Sequence, residues 1–436
     1  MKKLLTLLLC LPAVAAGLVS CKKEPVPEPP VTKKHRTVIE YIVADNNLYK
    51  YAEGDINEME AAWSDNLNGH MVVYLYPVAA TSRYAPSRSN YDERPRLLLI
   101  SRDQSNTITS RVLKTYSREQ DPNDAAVMGQ VIADAMTLAP ADSYALVFWS
   151  HGSGWIPKGV GQPLKSAVPA VGDPAWAGSK LEGMAPEIPG GSVVYSFGQS
   201  NSHGNSEMEI DAMARSLPAG TVFDFILFDA CHMACVEVAW ELKDHMQYLI
   251  ASAAETLAEG FPYSEIMEPM FAPQADVTAI GRKFYEHYNA EYGLGRSGVV
   301  SVVKSDGLPA LAAAVKALCD AGLPASGLSG AGQQFGRKYN ELGGYVGFEN
   351  TFYDLGDLVR LTWSGIDPAG VNAFESTLSE AVPYAAATPW LFSQLQVNTH
   401  CGLSCYLPRT STPLSLEAYR TRFGWSAASG MGSLVP

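Results

Sequence analysis

An α/β fold with a mostly parallel central sheet flanked by helices is predicted by three features of the sequence. Short apolar runs rich in β-branched and aromatic residues recur along the chain, each of strand length and too short for a core helix. Segments with apolar groups at helical spacing lie between them. Two of the runs, residues 144–149 and 223–228, lead directly into His151 and Cys231. Parallel strands end at one edge of their sheet, so these two side chains can meet although 80 positions separate them.

Residues 1–20 read as a leader. Lys2 and Lys3 precede a mostly apolar run over residues 4–18, and Leu18-Val19-Ser20-Cys21 has the small-residue pattern of a cleavage site with a cysteine just after it. The pattern resembles a bacterial lipobox, which implies cleavage before Cys21 and lipidation of its thiol. An ordinary signal peptide with a chance cysteine is the alternative. The apolar run is short for a membrane span, so the lipid would be the sole membrane attachment. The expected location is extracytoplasmic, on the outer membrane at its periplasmic or cell-surface face. Residues 21–36 are the tether: charged, proline-rich and poor in large apolar groups, hence extended.

The folded body starts at residue 37. Residues 37–43 read as a first strand, and Asp45-Asn46-Asn47 supplies turn and helix-cap chemistry. Residues 48–67 carry Ile56, Met59 and Trp63 at helical spacing, and 71–76 form a second strand. Residues 96–100 and 108–113 suggest a hairpin. Asp121-Pro122-Asn123 is expected to cap a helix ending at Met136, before the strand that delivers His151. Residues 156–206 are rich in Gly, Pro, Ser and Ala; so long a loop inside a compact domain is usually functional, and this one borders the His and Cys segments. Helix over 207–217, the strand to Cys231, helix over 236–243 and strand over 248–252 complete a core at 37–264. Residues 265–436 alternate less regularly and are expected to extend that core. No internal repeat is visible.

The net charge of −13 becomes −15 once residues 1–20 and their two lysines are removed. Such a surface repels phosphates, which excludes nucleic acid as an expected partner. The sequence leaves the oligomeric state open. Beyond Cys10 and Cys21, the cysteines are Cys231, Cys235, Cys319, Cys401 and Cys405, an odd number that invites a free reactive thiol. If residues 401–405 form a strand, Cys401 and Cys405 lie roughly 13 Å apart, too far for a disulfide. Cys235 is expected one helical turn beyond Cys231. A zinc site from His151, Cys231, His232 and Cys235 matches no common spacing, and no metal is expected.

Cys231 is the candidate nucleophile, because a thiol is the best side-chain nucleophile near neutral pH when part of it is thiolate. His151 is the candidate that protonates a leaving amine and then activates water. The backbone N–H groups of Gly152 and Cys231 are the candidate oxyanion donors. His203 lacks a preceding strand, His232 should point away from Cys231, His287 and His400 have no motif around them, and Asp45 and Asn46 suit turn capping.

These motifs carry a resemblance. An apolar strand ending in His151-Gly152 and another ending in Asp229-Ala230-Cys231 resemble the clostripain family of cysteine peptidases, within the caspase-like clan that includes gingipains and legumain. Tyr41 to Leu48, Asp55 to Met59, Ala251-Ser252 with Glu255, Gly260-Phe261-Pro262-Tyr263, Tyr353-Asp354-Leu355 and Gly402 to Pro408 look like further landmarks, so the match covers about residues 37 to 408. The resemblance implies a caspase-like α/β/α sandwich and a cysteine endopeptidase acting on protein or peptide substrates. It implies a specificity pocket in which Asp229, with Glu255 and Glu259, pairs with a substrate Arg or Lys. Ala251-Ser252-Ala253-Ala254 departs from the more acidic forms of that segment. No cofactor is required; calcium and self-cleavage between His and Cys enter only through the family, and Lys158, Lys165 and Lys180 are the basic sites for such a cut. The rival readings are a catalytically silent, peptidase-like surface lipoprotein that captures peptides or glycans, and an acyl transferase using the same thioester chemistry.

Overall fold

A computed structural model describes residues 30–156, 196–324, 327–328, 332–339, 345–348, 352–407 and 413–434. The first apolar run becomes β1 (Lys34–Val43), in which every residue from Arg36 onward is buried, as suits a strand covered on both faces. It is followed by α1 (Tyr49–Ala62), β2 (Gly69–Tyr76), β3 (Arg96–Leu99), β4 (Arg111–Thr115), α2 (Ala125–Leu138) and β5 (Ala141–Trp149). Next come β6 (Phe197–Ser200), β7 (Ser206–Met208), α3 (Ile210–Ser216), β8 (Ile226–Asp229), α4 (Val236–Leu242) and β9 (Tyr248–Ala251). The remainder comprises α5 (Tyr263–Met270), α6 (Val277–Asn289), β10 (Val299–Lys304), α7 (Leu308–Asp320), β11 (Arg337–Tyr339), β12 (Tyr345–Phe348) and β13 (Phe352–Asp354). Then follow α8 (Leu355–Trp363), α9 (Pro368–Ala381), β14 (Tyr384–Ala387), β15 (Trp390–Leu391), β16 (Leu395–Gln396), β17 (Ser404–Tyr406), α10 (Pro413–Arg422) and α11 (Gly424–Ala428).

Nine strands form one sheet in the order β14-β10-β9-β8-β5-β1-β2-β3-β4. Its centre, β9-β8-β5-β1-β2, is parallel, and both flanks are antiparallel. The α/β class and the mostly parallel centre are as the periodicity predicts. The register decides the site. Trp149 pairs with Asp229 at the shared end of β5 and β8. Two residues further along each chain stand His151 and Cys231.

Several local expectations are corrected. The cap of α2 is Asp124, whose side chain accepts from Ala126 N and Val127 N; Asp121 instead accepts from Asn123 N in the turn before it. The second hairpin strand begins at Arg111 rather than residue 108. Residues 206–208 form a short strand before α3. Cys235 ends a non-helical loop as the residue preceding α4, so it is not one helical turn from Cys231. Cys401 lies outside β17, because Gly402 takes a φ of 98° and breaks the extended run; both Cys401 and Cys405 are free thiols.

The chain is tied together on either side of residues 157–195. Gly152 and Phe197 form an antiparallel bridge, with Ser153 N donating to Ser196 O and Gly198 N to His151 O, each at 2.9 Å. Ser196 N donates to Ser153 Oγ at 2.9 Å, and Ser196 Oγ to Ile156 O at 3.1 Å. The C-terminal helices seal this join. Trp155 is fully buried against Tyr406, Tyr419 and Phe423, with ring centroids 4.6, 5.5 and 4.5 Å away. Among the described residues no helix is long and apolar enough to cross a membrane.

Candidate active site

His151, Asp229 and Cys231 line one narrow pocket at the carboxyl ends of β5 and β8, with Leu48, Thr256 and Leu257. Its free volume of about 20 Å³ is room for roughly one water. His151 is 3% exposed, and burial lowers its pKa to about 4, so the imidazole is neutral at physiological pH. Its Nε2 lies 2.8 Å from Asn47 Oδ1. An amide oxygen only accepts, so this contact places the imidazole hydrogen on Nε2 and leaves Nδ1 as the basic nitrogen. Asn47 is therefore the member of the turn that reaches the site. Asn46 is used up in the turn: its Nδ2 donates to Val43 O and Gln199 O, and its Oδ1 accepts from Leu48 N. Asp45 ties the turn outward through Ser200, Ser202 and Arg118.

The Cys231 thiol is 7% exposed at the residue level and is contacted by Thr256, whose N–H donates to Sγ at 3.3 Å and whose Oγ1 lies 3.7 Å away. Gly152 is pressed against the nucleophile's loop. A Cβ added there would lie 2.7 Å from Cys231 O and 3.0 Å from both Ala230 Cβ and Met233 Sδ. The bridge to residue 197 engages Ser153 N and His151 O, so by strand alternation the Gly152 N–H points away from that partner.

Asp229 is 5% exposed and sits in a turn shaped for it. Phe261 N and Tyr263 Oη donate to its Oδ2 at 2.8 and 3.2 Å. Gly260, at a φ of 61°, makes room: a Cβ there would lie 2.4 Å from the same oxygen. Burial pushes the carboxyl up to about 7, against these two hydrogen bonds. Behind it are Asp55, which accepts from Trp149 Nε1 at 2.7 Å, and Glu40, whose Oε1 lies 2.8 Å from Tyr263 Oη. Burial drives both well above the carboxylate range, and Asp229 adds to the rise in each. Glu255 and Glu259 flank the pocket-lining residues 256–258 in the chain but do not themselves line the pocket.

Three of these residues escaped the sequence reading. Glu40 carried a visible signal, a lone charge inside an apolar strand. Asn47 reads in the sequence as turn and helix-cap chemistry with Asp45 and Asn46, with no signal of a contact to His151. Thr256 carried none. His203 does follow a strand, β6, but bonds Ser200 through Nδ1 and stacks edge-on against Tyr76, outside the pocket. His232 faces Ala253 O and stacks on Phe352. Among the described residues no three His, Cys, Asp or Glu side chains gather to hold a metal, so His151, Cys231, His232 and Cys235 do not form a zinc quartet. Cys21, Lys158, Lys165 and Lys180 lie outside the described residues.

Comparison with known proteins gives the family of the chain. A profile of the clostripain family matches residues 40–166 and 191–419. Clostripain of Hathewaya histolytica is 24% identical over 245 residues, covering 53% of this chain and 41% of that protein, so less than half of its length is spanned. The fold is similar to an inactive zymogen C11 protease from Parabacteroides distasonis, at 28% identity and a TM-score of 0.66, covering 92% of this chain and 99% of that one. A secreted C11 cysteine protease from Bacteroides thetaiotaomicron, solved with an irreversible peptide inhibitor, is similar at 26% identity, a TM-score of 0.66 and the same coverage.

Proposed function

The chain belongs to the clostripain family of cysteine peptidases, and from that premise we propose an extracytoplasmic cysteine endopeptidase that cleaves after Arg or Lys. The observation that carries the reading is the convergence of His151, Asp229 and Cys231 in one pocket. The thiol gives its proton to His151 Nδ1, and the thiolate attacks the substrate carbonyl carbon. The oxyanion that forms is held by the N–H groups of Gly152 and Cys231. The C–N bond breaks as His151 returns the proton to the leaving amine. Water then loses a proton to His151, attacks the thioester and releases the acid, and Sγ recovers its hydrogen. Asp229, beside the nucleophile, offers a carboxylate to the cation of the residue before the scissile bond, where leaving either charge unpaired is costly.

Purified residues 22–436 should turn over a peptide reporter ending in Arg or Lys, and Cys231→Ala should abolish that turnover. Equal activity in the variant would reject the assignment. An electrophilic peptide that labels Cys231 separates an enzyme from a silent binding scaffold. Two fragments appearing in wild type and absent from Cys231→Ala would support self-cleavage at Lys158, Lys165 or Lys180. For location, Cys21→Ala should release the protein in soluble form, and protease shaving of whole cells distinguishes the surface from the periplasm.

A further inference from the structure

Below the pocket, one phenol bridges two buried carboxyls. Tyr263 Oη lies 2.8 Å from Glu40 Oε1 and 3.2 Å from Asp229 Oδ2. A phenol has a single hydrogen and donates to one carboxyl at a time. The other carboxyl must supply a hydrogen itself or face the phenol oxygen as an uncompensated anion. The two carboxyls are not equivalent. Glu40 is 0% exposed, and its Oε2 is buried with no hydrogen-bond partner. Asp229 lines the pocket and takes the Phe261 N–H on the same oxygen that faces Tyr263. An anion is therefore far cheaper on Asp229 than on Glu40. The groups around the bridge are acidic or phenolic: Asp55 and Glu58 from α1, and Tyr288 from α6.

The geometry points to Glu40 as a buried neutral acid that sets the charge of the specificity pocket: its carboxyl hydrogen goes to Tyr263, which turns its own hydrogen onto Asp229 and keeps that carboxylate anionic. Both donors then sit on Asp229 Oδ2, and Oδ1 remains for a substrate cation. Glu40 and Tyr263 are positioning residues, acting through Asp229. The inference rests on the reading of Asp229 as the cation-binding carboxylate.

Infrared difference spectra at neutral pH test the proton directly. Wild type minus Glu40→Gln should show the carbonyl band of a protonated carboxyl, and absence of that band would overturn the proposal. Kinetics with an Arg reporter test the consequence. Tyr263→Phe removes a donor from Asp229, so the pH below which KM climbs should move upward and KM at pH 7 should rise by about tenfold, the weight of one hydrogen bond to a charged group. Glu40→Gln replaces a neutral acid by a neutral amide that can still donate to Tyr263, so the pH below which its KM climbs should not fall. A shift of that profile to lower pH would mean that Glu40 had been an anion, and an unchanged KM in Tyr263→Phe would also refute the relay. If wild type instead prefers uncharged side chains, the cation-pocket reading has failed, and the infrared band alone decides whether Glu40 holds its proton.

Discussion

Gly152→Ala examines how tightly the two halves of the site are fitted. The added Cβ would meet Cys231 O at 2.7 Å, whereas ordinary van der Waals contact begins at 3.4 Å, so the two segments must part by about 0.7 Å. Relief is blocked on both sides. Ala230 Cβ and Met233 Sδ stand 3.0 Å from the same point, and the Gly152 segment is bonded behind to residues 196–198. Overpacking of this kind costs about 1–3 kcal/mol, which thermal unfolding should register as a modest loss. Catalysis should suffer more. The displaced atoms belong to the nucleophile's own peptide and to a proposed oxyanion donor, and a misplacement near 1 Å can cost about 10²-fold. The assay is kcat/KM on an Arg reporter, with the folded fraction measured on the same sample. A folded variant within twofold of wild type would refute the fit described here.

Three further outcomes follow from named contacts. Asn47→Ala should lower kcat by at least about tenfold, within the range of general acid–base catalysis, while Asn47→Asp, which puts an anion beside Nε2, should raise the His151 pKa from about 4 and move the acid limb of the pH–rate profile upward; an unmoved limb would deny the contact. The folded His151 pKa is depressed below its unfolded value near 6.5, so its neutral form contributes stability above pH 6.5 that is lost as pH falls toward 4. His151→Gln should remove up to about 3 kcal/mol of that acid sensitivity, and denaturation curves parallel to wild type between those values would contradict it. Gly260→Ala forces a β-carbon to 2.4 Å from Asp229 Oδ2 at a φ of 61°, and should impair cleavage after Arg more than it slows labelling of Cys231 by a small uncharged electrophile; equal losses would count against Asp229 as the cation site.

The parts of the site legible in the sequence are those that depend on strand identity. Residues 144–149 and 223–228 are apolar enough to be read as covered strands, and covered parallel strands fix where their next residues emerge. Hence His151 and Cys231 could be paired without coordinates. What eluded the sequence depends on atoms approaching from elsewhere in the chain. Thr256 reaches the thiol across 25 positions, and Tyr263 reaches Glu40 across 223. Glu40 itself sits among apolar neighbours, where a period-two reading treats a lone acid as solvent-facing. Burial on both faces of a central strand removes that option. Glu255 and Glu259 flank the lining residues 256–258 in sequence, and adjacency in sequence does not tell which neighbours line a pocket.

The bracing between residues 151–156 and 196–198 bears on what a protease cut would do. Residues 151–156 and 196–198 are stitched to each other, and Trp155 is clamped by rings from the far end of the chain. A break anywhere between Ile156 and Ser196 would sever one covalent link and leave every one of those contacts in place. The two pieces should migrate together on gel filtration and part only in denaturant. Nicking there is thus a covalent event that the noncovalent architecture can absorb, with the histidine retained on one fragment and the cysteine on the other.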